Sequence, residues 1–116
     1  MRHGMPDEAL EALCLNFDFL FYPEGGQVVA HCLQTDTAAF GPDVESAKKA
    51  LQEVLAHEIG TAVEDGDLGR VFARPAPESL WEQIEKAVRM QYLAWTVKLD
   101  KRPYTARLKS YSLAGV

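Results

Sequence analysis

Carboxylates on a strand beside carboxylates on a helix can hold the two divalent metals of a nuclease. Asp18, in the run Phe17-Asp18-Phe19, with Glu45 and Glu53 downstream, has the residue types for that chemistry. Its position argues against it. Leu15, Phe17, Phe19 and Phe21 alternate, so they share one face of a strand and Asp18 falls on the other. If a helix covers the phenylalanines, Asp18 points away from every helical carboxylate. A solvated position, or one at an oligomer contact, is the better reading. His57-Glu58 begins like the zinc helix of a metalloprotease, but Thr61 stands where the second histidine is needed. No Cys or His pair has zinc-finger spacing. There is no nucleophile elbow and no phosphate loop. The sequence therefore assigns no catalytic residue, no metal site and no cofactor.

Cys14 and Cys32 are the two cysteines. A hairpin turn at Gly25-Gly26 sets Cys32 opposite Phe19 and Cys14 opposite Thr37, which leaves the sulfurs beyond bridging distance. Buried thiols are the expectation.

The charges are split along the chain. Residues 1–85 hold 5 Lys/Arg and 16 Asp/Glu, a net −11; residues 86–116 hold 7 Lys/Arg and only Asp100, a net +6. Tyr92, Trp95, Tyr104 and Tyr111 are interleaved with the basic residues. Such a segment can track a phosphate backbone and stack on bases, with Lys98, Lys101, Arg102, Arg107 and Lys109 as the contacts. The other reading docks it on the acidic body, in the same chain or in a second copy. An acidic protein is repelled by phosphate at long range, which favours docking.

These residues must be positioned by a small fold. The 116 residues, 47% of them apolar and 25% charged, suit one folded domain. No apolar run approaches the roughly 20 residues of a membrane span. The first residues lack the apolar stretch of a secretory signal, so a cytoplasmic location is expected. Residues 15–22 read as a strand, Pro23-Glu24-Gly25-Gly26 as a tight turn, and residues 28–33 as the returning strand. Residues 37–40 read as a short third strand. Asp43 can cap a helix over about 44–63, with Val44, Ala47, Leu51, Val54, Leu55, Ile59 and Ala62 as its apolar stripe. Gly66 suits its left-handed end. Residues 69–73 read as a brief strand, and Arg74-Pro75-Ala76-Pro77 as a stiff connector. Leu80, Trp81, Ile84, Ala87 and Val88 give a second helical pattern. Residues 92–99 read as a strand, with Leu93, Trp95, Val97 and Leu99 on one face. Residues 104–113 read as an edge strand. The fold class is thus α+β: a three-stranded antiparallel meander covered by one long helix, plus a C-terminal helix and strand.

The run Phe21-Tyr22-Pro23-Glu24-Gly25-Gly26-Gln27-Val28-Val29-Ala30-His31-Cys32, with Gly41-Pro42-Asp43-Val44-Glu45-Ser46-Ala47, resembles the HicB-like family of bacterial antitoxins. The resemblance spans about residues 15–60. Asp43 stands where that family usually has a capping threonine. The resemblance implies a partial RNase H-like sheet without the nuclease carboxylates. It further implies a protein that binds and blocks a small ribonuclease toxin. Many family members carry a C-terminal DNA-binding module, and residues 86–116 match neither a helix-turn-helix nor a ribbon-helix-helix.

The expected organisation is one domain over 1–116, with a HicB-like core over 15–73 and an extension over 78–116. The expected function is non-enzymatic protein–protein contact, with homo-oligomerisation through Leu93, Trp95, Val97 and Leu99. The alternative is nucleic-acid binding by the basic aromatic segment.

Overall fold

The computed structural model describes residues 14–89, 93–99 and 102–113. The chain forms β1 (Cys14–Glu24), β2 (Gln27–Cys32), β3 (Thr37–Gly41) and the long helix α1 (Val44–Glu64). A 3-10 turn (Leu68–Phe72), a short helix α2 (Glu78–Gln83) and a second 3-10 turn (Ile84–Lys86) come next. The chain ends in β4 (Val88–Arg89), β5 (Leu93–Leu99) and β6 (Arg102–Ser112). No helix among the described residues is long and apolar enough to cross a membrane.

The architecture is α+β, with one long helix packed on a mixed sheet. The strand order is β3-β2-β1-β6-β4, and β5 also pairs with β6. The meander forms as its turn residues dictate. Gly25 and Gly26 take φ of 57° and 78°, which a two-residue hairpin turn requires and only glycine adopts freely. The hairpin register places Phe19 opposite Cys32, as the sequence implies. Asp43 caps α1: its Oδ1 accepts from the Ser46 amide at 2.8 Å. Its bonds from Ser46 hold the Asp43 carboxyl below the usual range.

β1 is buried on both faces. Phe17, Phe19 and Phe21 pack with Ala47, Leu51, Leu55 and Ile59 of α1 and with Leu108 of β6. Phe72 of the 3-10 turn stacks on Phe17 with ring centroids 6.0 Å apart. On the opposite face Leu20, Leu33 and Ala76 form a second cluster, covered by Leu80, Trp81, Ile84 and Ala87. The chain reaches that face by crossing the end of the sheet. Ala76 N–H donates to the Leu33 carbonyl at 2.8 Å, and Trp81 Nε1–H donates to the Ala76 carbonyl at 3.1 Å.

Several expectations need correction. Residues 104–113 do not make an edge strand. β6 runs parallel to β1, from Cys14↔Thr105 to Phe21↔Ser112, with β4 and β5 on its other side. Residues 69–73 form the 3-10 turn and its C-terminal cap, Ala73, because Val71 and Phe72 pack on the core rather than pair with a strand. Val54 is 40% exposed, outside the buried stripe. The helical pattern from Leu80 shortens to α2 and one 3-10 turn, and its apolar side covers this chain's own sheet. Cys14 pairs with Thr105, not Thr37, because β1 extends past the end of β2.

Gly41 is where the meander meets the helix. A Cβ there would lie 2.5 Å from the Ala47 nitrogen and 2.9 Å from Ser46 Cβ. Gly41→Ala forces backbone apart and should cost about 1–3 kcal/mol. Phe19→Ala, which empties a fully buried site, should cost about 3–5 kcal/mol. Urea unfolding measures both; costs below about 1 kcal/mol contradict the packing.

Truncation after Gln91 removes β5 and β6. It strips β1 of its parallel partner and the core of Leu108. The truncated chain should lose cooperative thermal unfolding and aggregate, as unpaired hydrophobic strand edges do. A soluble fragment with a sharp transition contradicts this.

Candidate functional site

β3 runs from Thr37 to Gly41 and α1 returns antiparallel above it, so the β2–β3 turn lies beneath the second half of α1. The strap, residues 68–77 after α1, folds back at the same end. Between them opens a cleft of about 740 Å³. Its floor is Thr35, Asp36, Thr37 and Ala38. One wall is α1, with Val54, His57, Glu58 and Thr61; the other is the strap, with Arg70, Val71, Ala73 and Arg74.

Hydrogen bonds fix the floor. Asp36 has φ of 53°, a left-handed conformation that Asp tolerates better than most residues. Its Oδ1 lies 2.7 Å from His31 Nε2, and His31 Nδ1 lies 3.0 Å from the Tyr22 hydroxyl. Burial raises the pKa of the Tyr22 phenol, and the Glu24 and Asp36 carboxylates raise it further. A protonated Tyr22 donates to Nδ1, so the matching tautomer carries its proton on Nε2 and donates to Asp36. A second chain runs from the Thr35 hydroxyl to Thr37 Oγ1 at 2.9 Å, and from the Thr37 hydroxyl to Glu58 Oε2 at 3.1 Å. It ties the turn to α1.

The walls carry the free chemistry. Arg70 pairs with Asp65 at 2.8 Å. Arg74 is exposed and has no ion-pair partner among the described residues. His57 is exposed, and its carbonyl accepts from the Thr61 hydroxyl. The cleft thus offers a guanidinium, an imidazole and the apolar surface of Val54, Val71 and Ala73 over a rigid polar floor. That combination suits binding.

The sequence-derived candidates fall elsewhere. Asp18 is half-buried on the Leu20 face, away from α1, because it alternates with Phe17 and Phe19. Gln34 clamps it. Asp18 N–H donates to Gln34 Oε1 at 2.7 Å, and Gln34 Nε2–H donates to Asp18 Oδ2 at 2.6 Å. Glu45 pairs with Lys48 at 3.1 Å and Glu53 is exposed on α1, so the three carboxylates are not brought together. Among the described residues no group of three or more His, Cys, Asp or Glu side chains is placed to hold a metal.

Arg107 and Lys109 are exposed, alternating with buried Leu108 and Ser110, and stand in register with Asn16 and Asp18. Arg102 is in register with Leu99. Lys98 is in register with Pro103, and Lys101 lies outside the described residues. The backbone of Leu93, Trp95, Val97 and Leu99 pairs with β6 of the same chain; Leu93 is the register partner of buried Leu108. The side chains of 93–99 and 102–106 lie outside the described residues.

The cleft was missed in the sequence. Its signals were Val54, which the sequence counts into the helical stripe, and the turn at Gln34-Thr35-Asp36.

Cys32 lies buried near the cleft floor. Burial pushes its thiol from 9.0 up to about 11, against hydrogen bonds from Thr35 and Gln34 that lower it. A folded-state value above the unfolded one adds stability that is intact below about pH 9 and lost as pH rises toward about 11. Urea midpoints should therefore fall between pH 9 and 11, and fall less in Cys32→Ala. Identical slopes in the two proteins contradict the burial.

In comparisons with known proteins, no family model, no curated protein and no solved structure matches the chain.

Proposed function

We propose that this protein acts by non-covalent contact with another protein, as HicB-like antitoxins do with small ribonuclease toxins. The cleft between α1 and the strap is the part that receives the partner. The observation that carries the reading is the make-up of that cleft. Its floor is locked by two hydrogen-bond chains, while Arg74, His57 and half-exposed Val54 face outward. An apolar anchor ringed by unengaged polar groups on a rigid base is what a protein contact uses.

Charge supports the same partner. A protein that cuts RNA presents cationic surface to phosphate. The whole chain carries a net −5, which attracts such a surface at long range. The meander and its covering helix agree with the arrangement that the resemblance to HicB-like proteins implies. The C-terminal strands complete the sheet in this reading, and nucleic acid is not the primary ligand.

The test starts from the neighbouring gene. A small ribonuclease toxin encoded there should bind this protein one-to-one in calorimetry, and co-expression should relieve its growth arrest. Val54→Lys with His57→Lys, which sets two cations against a cationic partner, should weaken binding at least tenfold while the thermal transition stays put. A toxin that binds the double variant as well as the native chain removes the cleft from the reading. A neighbour that is no toxin, or a toxin that does not bind, removes the antitoxin function.

A further inference from the structure

Among the described residues no strand pairs with the outer edge of β3, and we propose that this self-complementary edge joins two copies of this chain across a two-fold axis at Ala39. The inference goes beyond the contact reading above and does not depend on the identity of any toxin.

The hydrogen-bond phase of the edge follows from the register. The residues flanking a two-residue hairpin turn exchange both of their backbone bonds, so Glu24 and Gln27 form such a pair. Alternation makes Tyr22–Val29 and Leu20–His31 bonded pairs as well. The next step along, Leu33 N–H to the Asp18 carbonyl at 3.0 Å, keeps the phase. Val28, Ala30 and Cys32 therefore turn their N–H and C=O groups to β3, where they meet Gly41, Ala39 and Thr37. Ala38 and Phe40 are left with their N–H and C=O groups directed outward.

The side chains at those two positions are a small residue and a large one. Phe40 is 53% exposed, and Ala38 is exposed beside it on the same face of the sheet. Phe40 and Val54 are the large apolar residues left exposed among the described residues, and they flank this edge from its two faces. The strand Thr37–Gly41 carries no charged residue and no proline. Proteins that keep an edge single usually place such residues on it.

A second copy fits both features at once. Antiparallel pairing about Ala39 sets Ala38 opposite the partner's Phe40, and Phe40 opposite the partner's Ala38. Both are bonded pairs, so four backbone hydrogen bonds form and every outward group is satisfied. Each phenyl ring finds a methyl group across the strand, so knob meets hole twice. Like charges do not meet, because the strand has none. The partner's Gly41 falls opposite Thr37, which lines the cleft, so the start of the partner's α1 borders the cleft.

Hydrogen exchange on the unmodified protein tests this directly. At concentrations where light scattering gives twice the 12.9 kDa chain mass, the Ala38 and Phe40 amides should exchange at least tenfold more slowly than after dilution to the monomer. The Ala39 amide, bonded to β2, should be slow in both. Phe40→Glu and Ala38→Lys should each give the single-chain mass with the thermal transition retained. A single-chain mass at 100 micromolar overturns the proposal. So does a dimer in which the Ala38 and Phe40 amides stay fast, since its interface then lies elsewhere. Protection that appears only when another protein is added assigns the edge to a foreign strand and equally overturns self-pairing.

Discussion

The parallel pairing of β6 along β1 is the contact on which the rest of the structure depends. It turns β1 into an inner strand, and an inner strand must be covered on both faces. Phe17, Phe19 and Phe21 face α1; Leu20 faces the second cluster. Fully burying each such side chain contributes about 1.5–3 kcal/mol, so these four positions supply a large part of the driving force. Neither cover can be omitted. The long helix shields one side, and the chain must then travel to the other to shield Leu20. The strap exists for that journey: residues 73–77 cross the end of the sheet, anchored by the Ala76–Leu33 bond. The cleft is the space left between that crossing and α1.

The same pairing sets the order of assembly. Cys14 and Thr105 are about 90 positions apart, so β1 has no permanent partner on that side until nearly the whole chain is present. Contacts of such long range are slow to form. The hairpin and α1, which are local, can form first. The uncovered Leu20 face and the open edge of β1 are the hazard until the later segments arrive.

The meander and α1 were legible in the sequence because their signals are local. Alternation in residues 15–21, two glycines at a turn and an aspartate before a three-four apolar stripe each act within a few residues. Sheet order was not legible. An apolar strand whose cover is far away in sequence reads as an edge or a docking arm, and so residues 104–113 read as an edge strand. The second helical pattern misled for the same reason: Leu80, Trp81 and Ile84 need a partner surface, and nothing local says that this surface is Leu20. Asp18 was correctly placed on the face away from α1. Its clamp by Gln34 was not foreseen, since a pair 16 positions apart depends on how the β2–β3 turn closes. The cleft depends on the same turn and was invisible for the same cause.

The charge split finds a physical place in this arrangement. The acidic part and the basic part are neighbouring strands of one sheet, with Asp18 in register with Lys109. Opposite charges along a parallel pair favour that register and oppose slippage, because each shift would bring the cation away from the acidic body. The charge of Lys109 is therefore balanced in part by Asp18. What remains at long range is the net −5 of the whole chain, which repels phosphate and attracts cationic protein surface. Arg107 and Lys109 stay exposed and in phase with each other, alternating with buried Leu108 and Ser110.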